Sequence, residues 1–245
     1  VGAVVGVQPF GGEGLSGTGP KAGGPLYLPR LQQTPGSPLR LLSLLLHQSG
    51  QTQASAAPVT AAAATALQQL GHWARQHGEA IVSHDCEHLQ SALPDLHAAR
   101  LLPGPTGERN LYQLLGKPRT LCLAQERTML LLQLAAALAC GSQALWVPGP
   151  LGTTVHGKLP DALRHHVLLL PAELSVEEIA ETEAMDAALL ECDAPQFLRW
   201  AQALARRPGP LILPTRCVTG QPVRLERLWH ERALSHNTAA AGGNA

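Results

Sequence analysis

RTLCLAQERTMLLLQLAAALACGSQALWVP, Arg119 to Pro148, decides the fold. Thr120 to Ala124 is a short apolar run, Glu126 to Cys140 is a helical stretch apolar on nearly every face, and Gln143 to Val147 is a second apolar run. Gly141 stands where the helix must stop, at a position suited to φ > 0. Two strands joined by a helical crossover lie parallel, with the helix covering one face of the sheet. A helix whose interior polarity is limited to Gln133 is not a surface helix, so this one is expected between the sheet and another layer.

The same alternation continues downstream. His166 to Leu170 reads as a strand, Ser175 to Ala184 as a helix capped by Ser175 with Glu178 three residues on, and Ala187 to Leu190 as a strand. Pro195 to Arg206 follows as a helix with Phe197, Ala201 and Leu204 inward, and Leu211 to Leu213 closes the series. About five short strands with helical crossovers make an α/β fold, a Rossmann-like doubly wound parallel sheet. Upstream, Ala61 to His77 is an amphipathic helix ended by Gly78. Gln48 to Thr60 is small and polar, a linker.

Composition bounds the function. The 245 residues suffice for a sizeable core. Charge is balanced, 18 Lys+Arg against 18 Asp+Glu, with no long basic run, so nucleic-acid binding is not indicated. No apolar run reaches the roughly 18 residues a membrane helix needs, so membrane insertion is not expected. Five cysteines at irregular spacing fit neither a disulfide framework nor paired zinc knuckles, and read as reduced thiols of a cytoplasmic protein. The chain opens on Val1 inside an apolar strand pattern, as the C-terminal piece of something longer would.

Several motifs fail on context. Gly12, Gly14 and Gly17 match GxGxxG, but Pro9 precedes and Gly19-Pro20 follows, leaving no helix N-terminus for a pyrophosphate. Pro20 stands where a phosphate loop needs lysine, and Thr18 breaks GxSxG. His84, Asp85, Cys86 and His88 could build a metal site on paper, yet the spacing suits neither a helix face nor structural zinc, and a solvated surface is the plainer reading. His165 and His166 have no nucleophile nearby in sequence, and read as a strand-edge pair.

Residues 2–12 (GAVVGVQPFGG) and 16–25 (SGTGPKAGGP) resemble the end of the catalytic region of aldehyde dehydrogenases that oxidise glutamate γ-semialdehyde. The match is best to the bifunctional proline utilisation A flavoenzymes. The resemblance implies an aldehyde anchor loop at Gly2 and Ala3, whose backbone amides hold the substrate α-carboxylate, with Phe10 against its aliphatic part. Small residues do let a carboxylate approach two N–H donors closely. An ordinary core position is the alternative for Phe10. Residues 231–245 (ERALSHNTAAAGGNA) resemble the C-terminal motif of members with an extra C-terminal domain, and a strand from Trp229 to Thr238 is suited to adding onto a sheet edge. A disordered end is the alternative.

Residues 116–153 have the layout of the same family's cofactor-binding βαβ, but the side chains depart from it. Gln125, Glu126 and Arg127 stand where the family has a Trp-Asn turn, and Val147 replaces the ribose-binding lysine before Pro148. Leu190, Glu191 and Cys192 stand at the family's FTGS turn. Losing a cation and placing Glu191 near a pyrophosphate site both work against a dinucleotide. Cys192 lies on the wrong side of the PFGG motif for the family's nucleophile.

The resemblance thus implies residues 1–47 as the end of the aldehyde dehydrogenase domain, 48–60 as linker, 61–223 as a degenerate Rossmann-like domain and 224–245 as a strand motif. The parent would use FAD to oxidise proline and NAD to oxidise glutamate γ-semialdehyde. This piece would hold neither cofactor, carry no catalytic residue or metal, be inactive alone, and cover a channelling tunnel beside the upstream catalytic domains. Two alternatives stay open: a self-sufficient NAD-binding dehydrogenase module, and an oligomerisation module acting through its tail strand.

Overall fold

The computed structural model describes residues 8–17, 19–31, 51–53, 58–147, 149–171, 174–181 and 185–238, with the backbone alone at 51–53. Gly2, Ala3 and Pro148 lie outside the described residues.

Five parallel strands form the central sheet: β4 (Arg119–Leu123), β5 (Gln143–Trp146), β6 (Val167–Leu169), β7 (Ala187–Leu190) and β8 (Thr215–Arg216). Their spatial order is β6-β5-β4-β7-β8, all pairs parallel. This is the doubly wound order, in which successive crossovers reverse direction between β4 and β7. The expected strand at Leu211 to Leu213 is displaced: pairing begins at Thr215, two residues on. Pro210 and Pro214 bracket that run and Pro214 has no N–H to give, while Ile212 still packs into the core.

Both sheet faces are buried, as parallel sheets require. On one face lies α4 (Arg127–Ala139), every residue of which from Met129 onward is buried. Behind it stand α2 (Pro58–Gln76) and α3 (Ala80–His97), packed on one another and on α4. That second layer explains the helix's all-round apolarity. Its polar exception, Gln133, donates from Nε2 to the Leu123 carbonyl at 2.9 Å, tying the helix to the end of β4. Gly141 does stop the helix at φ 70°, with Ser142 N–H returning to Ala137 O at 2.9 Å.

The opposite face takes Leu121, Leu145, Ala188 and Leu190 against Ile179 of α7 (Val176–Glu181) and against Trp200 and Leu204 of α8 (Ala194–Arg206). The capping box forms as read: Ser175 N–H donates to Glu178 Oε2 at 2.7 Å and Glu178 N–H to Ser175 Oγ at 3.2 Å. Two short helices, α5 (Pro150–Lys158) and α6 (Asp161–Arg164), connect β5 to β6.

A second sheet is antiparallel, in the order β1-β2-β3-β9. It comprises β1 (Gln51–Gln53), β2 (Ala99–Leu102), β3 (Glu108–Gly116) and β9 (Trp229–Asn237). The tail strand therefore pairs within its own chain, Trp229 against Gly116 through Asn237 against Glu108. The N-terminal segment, with a short helix α1 (Tyr27–Leu31), lies against the β9 end of this sheet.

Candidate functional site

In a doubly wound sheet, ligands bind beyond the carboxyl ends of the strands where the winding reverses, here between β4 and β7. Gln125 and Glu126 form the turn from β4 into α4, and the Glu126 amide is among the donors a helix start leaves without intrahelical acceptors. Glu191 follows β7 directly, and its carboxylate fills this position. Oε2 accepts from Gln125 N–H at 2.8 Å and from Glu126 N–H at 3.3 Å, while Oε1 accepts from Thr219 Oγ1–H at 2.7 Å. Glu191 is 8% exposed. The chain's own carboxylate thus bonds two amides at the turn from β4 into α4.

Cys192 is buried and its thiol is pushed up by burial and by Asp193, opposite to what an attacking thiolate needs. Cys86, Cys122, Cys140 and Cys217 are buried and free as well. Val147 packs beside the second face of the sheet. His84 and His88 are exposed on α3 while Cys86 points into the core, so the three diverge; among the described residues no group of three metal-binding side chains converges. His165 and His166 lie with rings 4.0 Å apart at the start of β6.

The second constellation joins the two quoted motifs at opposite ends of the chain. Glu231 of β9, almost fully buried, accepts from Lys21 N–H at 2.6 Å, Leu26 N–H at 3.4 Å and Tyr112 Oη–H at 2.9 Å. Gly24 passes so close to this carboxylate that a Cβ there would collide with Oε1. Arg30 donates to the carbonyls of Glu226 at 3.0 Å and Trp229 at 3.2 Å, and Gln8 donates to Asn110 Oδ1 on β3. Phe10 is bridged to Ala22, Phe10 N–H to Ala22 O at 3.0 Å and the reverse at 2.8 Å. Phe10 is 67% exposed, so it is not a core residue within this chain. Glu231, Tyr112 and Asn110 escape sequence reading because their partners are some hundred residues or more away; the one available signal is a carboxylate inside an otherwise strand-like run.

No family model matches the chain. Its parallel sheet belongs to the aldehyde dehydrogenase fold: a substrate-bound Staphylococcus aureus AldH structure superposes with TM-score 0.50 at 14% identity, over 63% of this chain and 40% of that one. A crystal structure of bifunctional proline utilization A (PutA) superposes with TM-score 0.54 at 17% identity, over 66% and 20%. Sequence narrows the class. The chain is 43% identical over 248 residues to bifunctional protein PutA of Escherichia coli K12, and 41% identical over 253 residues to that of Rhizobium meliloti, each match covering 100% of this chain and 18% of the relative. The chain is thus similar along its whole length to bifunctional PutA proteins and spans about a fifth of theirs.

Proposed function

We propose that the chain serves a bifunctional proline-catabolising enzyme, with an FAD-dependent proline dehydrogenase and an NAD-dependent glutamate γ-semialdehyde dehydrogenase lying elsewhere in the parent. Residues 1–47 end the aldehyde dehydrogenase domain and supply the anchor loop at Gly2 and Ala3, with Phe10 facing the substrate's aliphatic part. Residues 61–223 form a domain without chemistry of its own that covers the route between the two active sites. The tail strand fixes that domain to the anchor segment.

One observation carries the non-catalytic assignment: Glu191 occupies the amides at the switch point, so a dinucleotide phosphate meets a carboxylate where it needs donors. What supports the coupling to the anchor segment is the Glu231 junction, because Lys21 and Ala22 lie between that carboxylate and the bridge to Phe10. A cover that excludes water keeps a reactive aldehyde from escaping. The exposure of Phe10 suits a residue whose partners lie in the upstream domain or the substrate.

Calorimetric titration of NAD into the 245-residue chain is expected to give no saturable heat, and binding near one per chain would overturn the non-catalytic assignment. In the parent enzyme, deleting residues 224–245 is expected to release aldehyde to an external trap while turnover of added aldehyde persists. Unchanged retention of the aldehyde would overturn the covering role, and loss of subunit association without leakage would favour an assembly role.

A further inference from the structure

Between the glycine-rich loop, the start of β9 and the loop before β8 lies a cavity of about 350 Å³, within the range of small-molecule sites. Lys117 stands in its wall directly after β3, its backbone fixed by Lys117 N–H donating to Leu228 O at 2.9 Å. The chain has three lysines, and they are placed differently. Lys158 is exposed at the end of α5, and Lys21 donates from Nζ to Gly11 O at 2.9 Å. The Lys117 side chain is half-buried and, among the described residues, donates no hydrogen bond and forms no ion pair within 4.0 Å.

The charges around this amine oppose one another. Burial and then Arg30 pull its pKa down, Asp186 pulls it up, and Arg227 pulls it down again. Burial prevails, and the ammonium is lowered to about 8. A share of Lys117 is therefore a neutral amine near pH 7.5, which is the nucleophilic form. His230, the second residue of β9, lines the same cavity, and its own pKa is lowered by burial and next by Lys117, against the pull of Glu13 and Asp186. The imidazole is thus neutral at that pH, free to accept a proton and return it.

We propose that Lys117 is a site of reversible covalent modification by small aldehydes, with His230 relaying the proton. The Nζ lone pair attacks the carbonyl carbon, and the C=O π pair moves onto oxygen. One N–H proton passes through the His230 imidazole to that oxygen, giving a carbinolamine. The hydroxyl then leaves with the second N–H proton as water, and the C=N bond of the imine forms. No oxidant or cofactor enters the balance. Carbon dioxide on the same amine would leave a carbamate anion beside Asp186, whereas the imine adds no negative charge there. The site stands independently of the proposed role in proline catabolism, and its test reads the adduct alone.

The 245-residue chain is treated with butyraldehyde and excess cyanoborohydride at pH 7.5, digested and mapped by mass spectrometry. Lys117 is expected to gain the butyl group about tenfold faster than Lys158: about a quarter of an amine at about 8 is neutral there, against roughly one part in 800 of an ordinary lysine, and lower basicity gives back part of the difference. The Lys117 rate should level off above about pH 9 while the Lys158 rate keeps rising. His230→Gln is expected to slow butylation of Lys117 about tenfold or more, with its acetylation by acetic anhydride, which expels no water, unchanged. Equal rates at Lys117 and Lys158 would overturn the site, as would an adduct that persists after dialysis when no reductant is added. Unchanged butylation in His230→Gln would overturn the proton relay.

Discussion

Replacing Glu231 by glutamine keeps size and removes one acceptor oxygen and the charge, which isolates what the carboxylate does. In the native protein its two oxygens receive three donors, the amides of Lys21 and Leu26 and the hydroxyl of Tyr112. Hydrogen bonds to a charged group contribute roughly 1.5–3 kcal/mol each and neutral ones about 1, while a buried donor left unmatched costs about 1–3 kcal/mol. In Glu231→Gln at least one donor faces an amide NH₂, so a loss of about 2–3 kcal/mol follows from the upper part of that range. For a domain of this size that lowers the melting temperature by roughly 4–12 °C. Tyr112→Phe removes one donor to the charged group and should cost about 1.5–3 kcal/mol. The double variant should fall short of additivity by about 1 kcal/mol, because the glutamine has already reduced the Tyr112 bond from a charge-assisted to a neutral one. Urea unfolding of the four proteins measures all of this. A Glu231→Gln loss under about 0.5 kcal/mol, or strict additivity with Tyr112→Phe, would refute the claim that this carboxylate clasps the two ends of the chain.

Two further outcomes are expected. Glu191→Ala leaves two amides at the start of α4 and the Thr219 hydroxyl without their acceptor, and should cost about 1–2 kcal/mol by urea midpoint, as loss of a helix cap does. His97, buried with Nε2 bonded to Ala139 O at 2.8 Å, has its pKa lowered by burial below the 6.5 of the unfolded chain. The unfolded state therefore takes up the proton first, so this contribution is complete above pH 6.5 and is lost as pH falls below it. His97→Gln should be less stable than wild type at neutral pH, with the gap narrowing at acid pH; a gap independent of pH would contradict a neutral buried imidazole.

The parallel sheet is legible in the chain because its signals are local. An apolar run, an apolar helix, Gly141 and a second apolar run specify a βαβ unit without reference to anything distant, and Ser175 with Glu178 marks a helix start in four residues. The antiparallel sheet is less visible. Arg100 to Gly116 holds a hairpin, turning at Gly107 with φ 89°, yet its strands mix Arg, Asn, Tyr and Gln and lack the continuous apolarity of β4 or β7. Arg100 and Asn110 are buried there, polar residues that alternation alone assigns to solvent. At the switch point, the departures from a dinucleotide-binding pattern can be read from residue types, but Glu191 gripping the amides of Gln125 and Glu126 depends on β4 and β7 being neighbours. Glu231 is harder still, since its partners lie 119 to 210 positions away.

That span has a kinetic side. A ribosome delivers Lys21 and Leu26 long before Glu231, so the early segment must wait, unclasped, through the synthesis of the whole intervening sheet. Any product cut short ahead of β9 would carry its glycine-rich strip undocked, with Tyr112 stripped of its acceptor and the edge of β3 bare. Within these residues, β9 therefore closes on the glycine-rich strip only after the strands between them have been made.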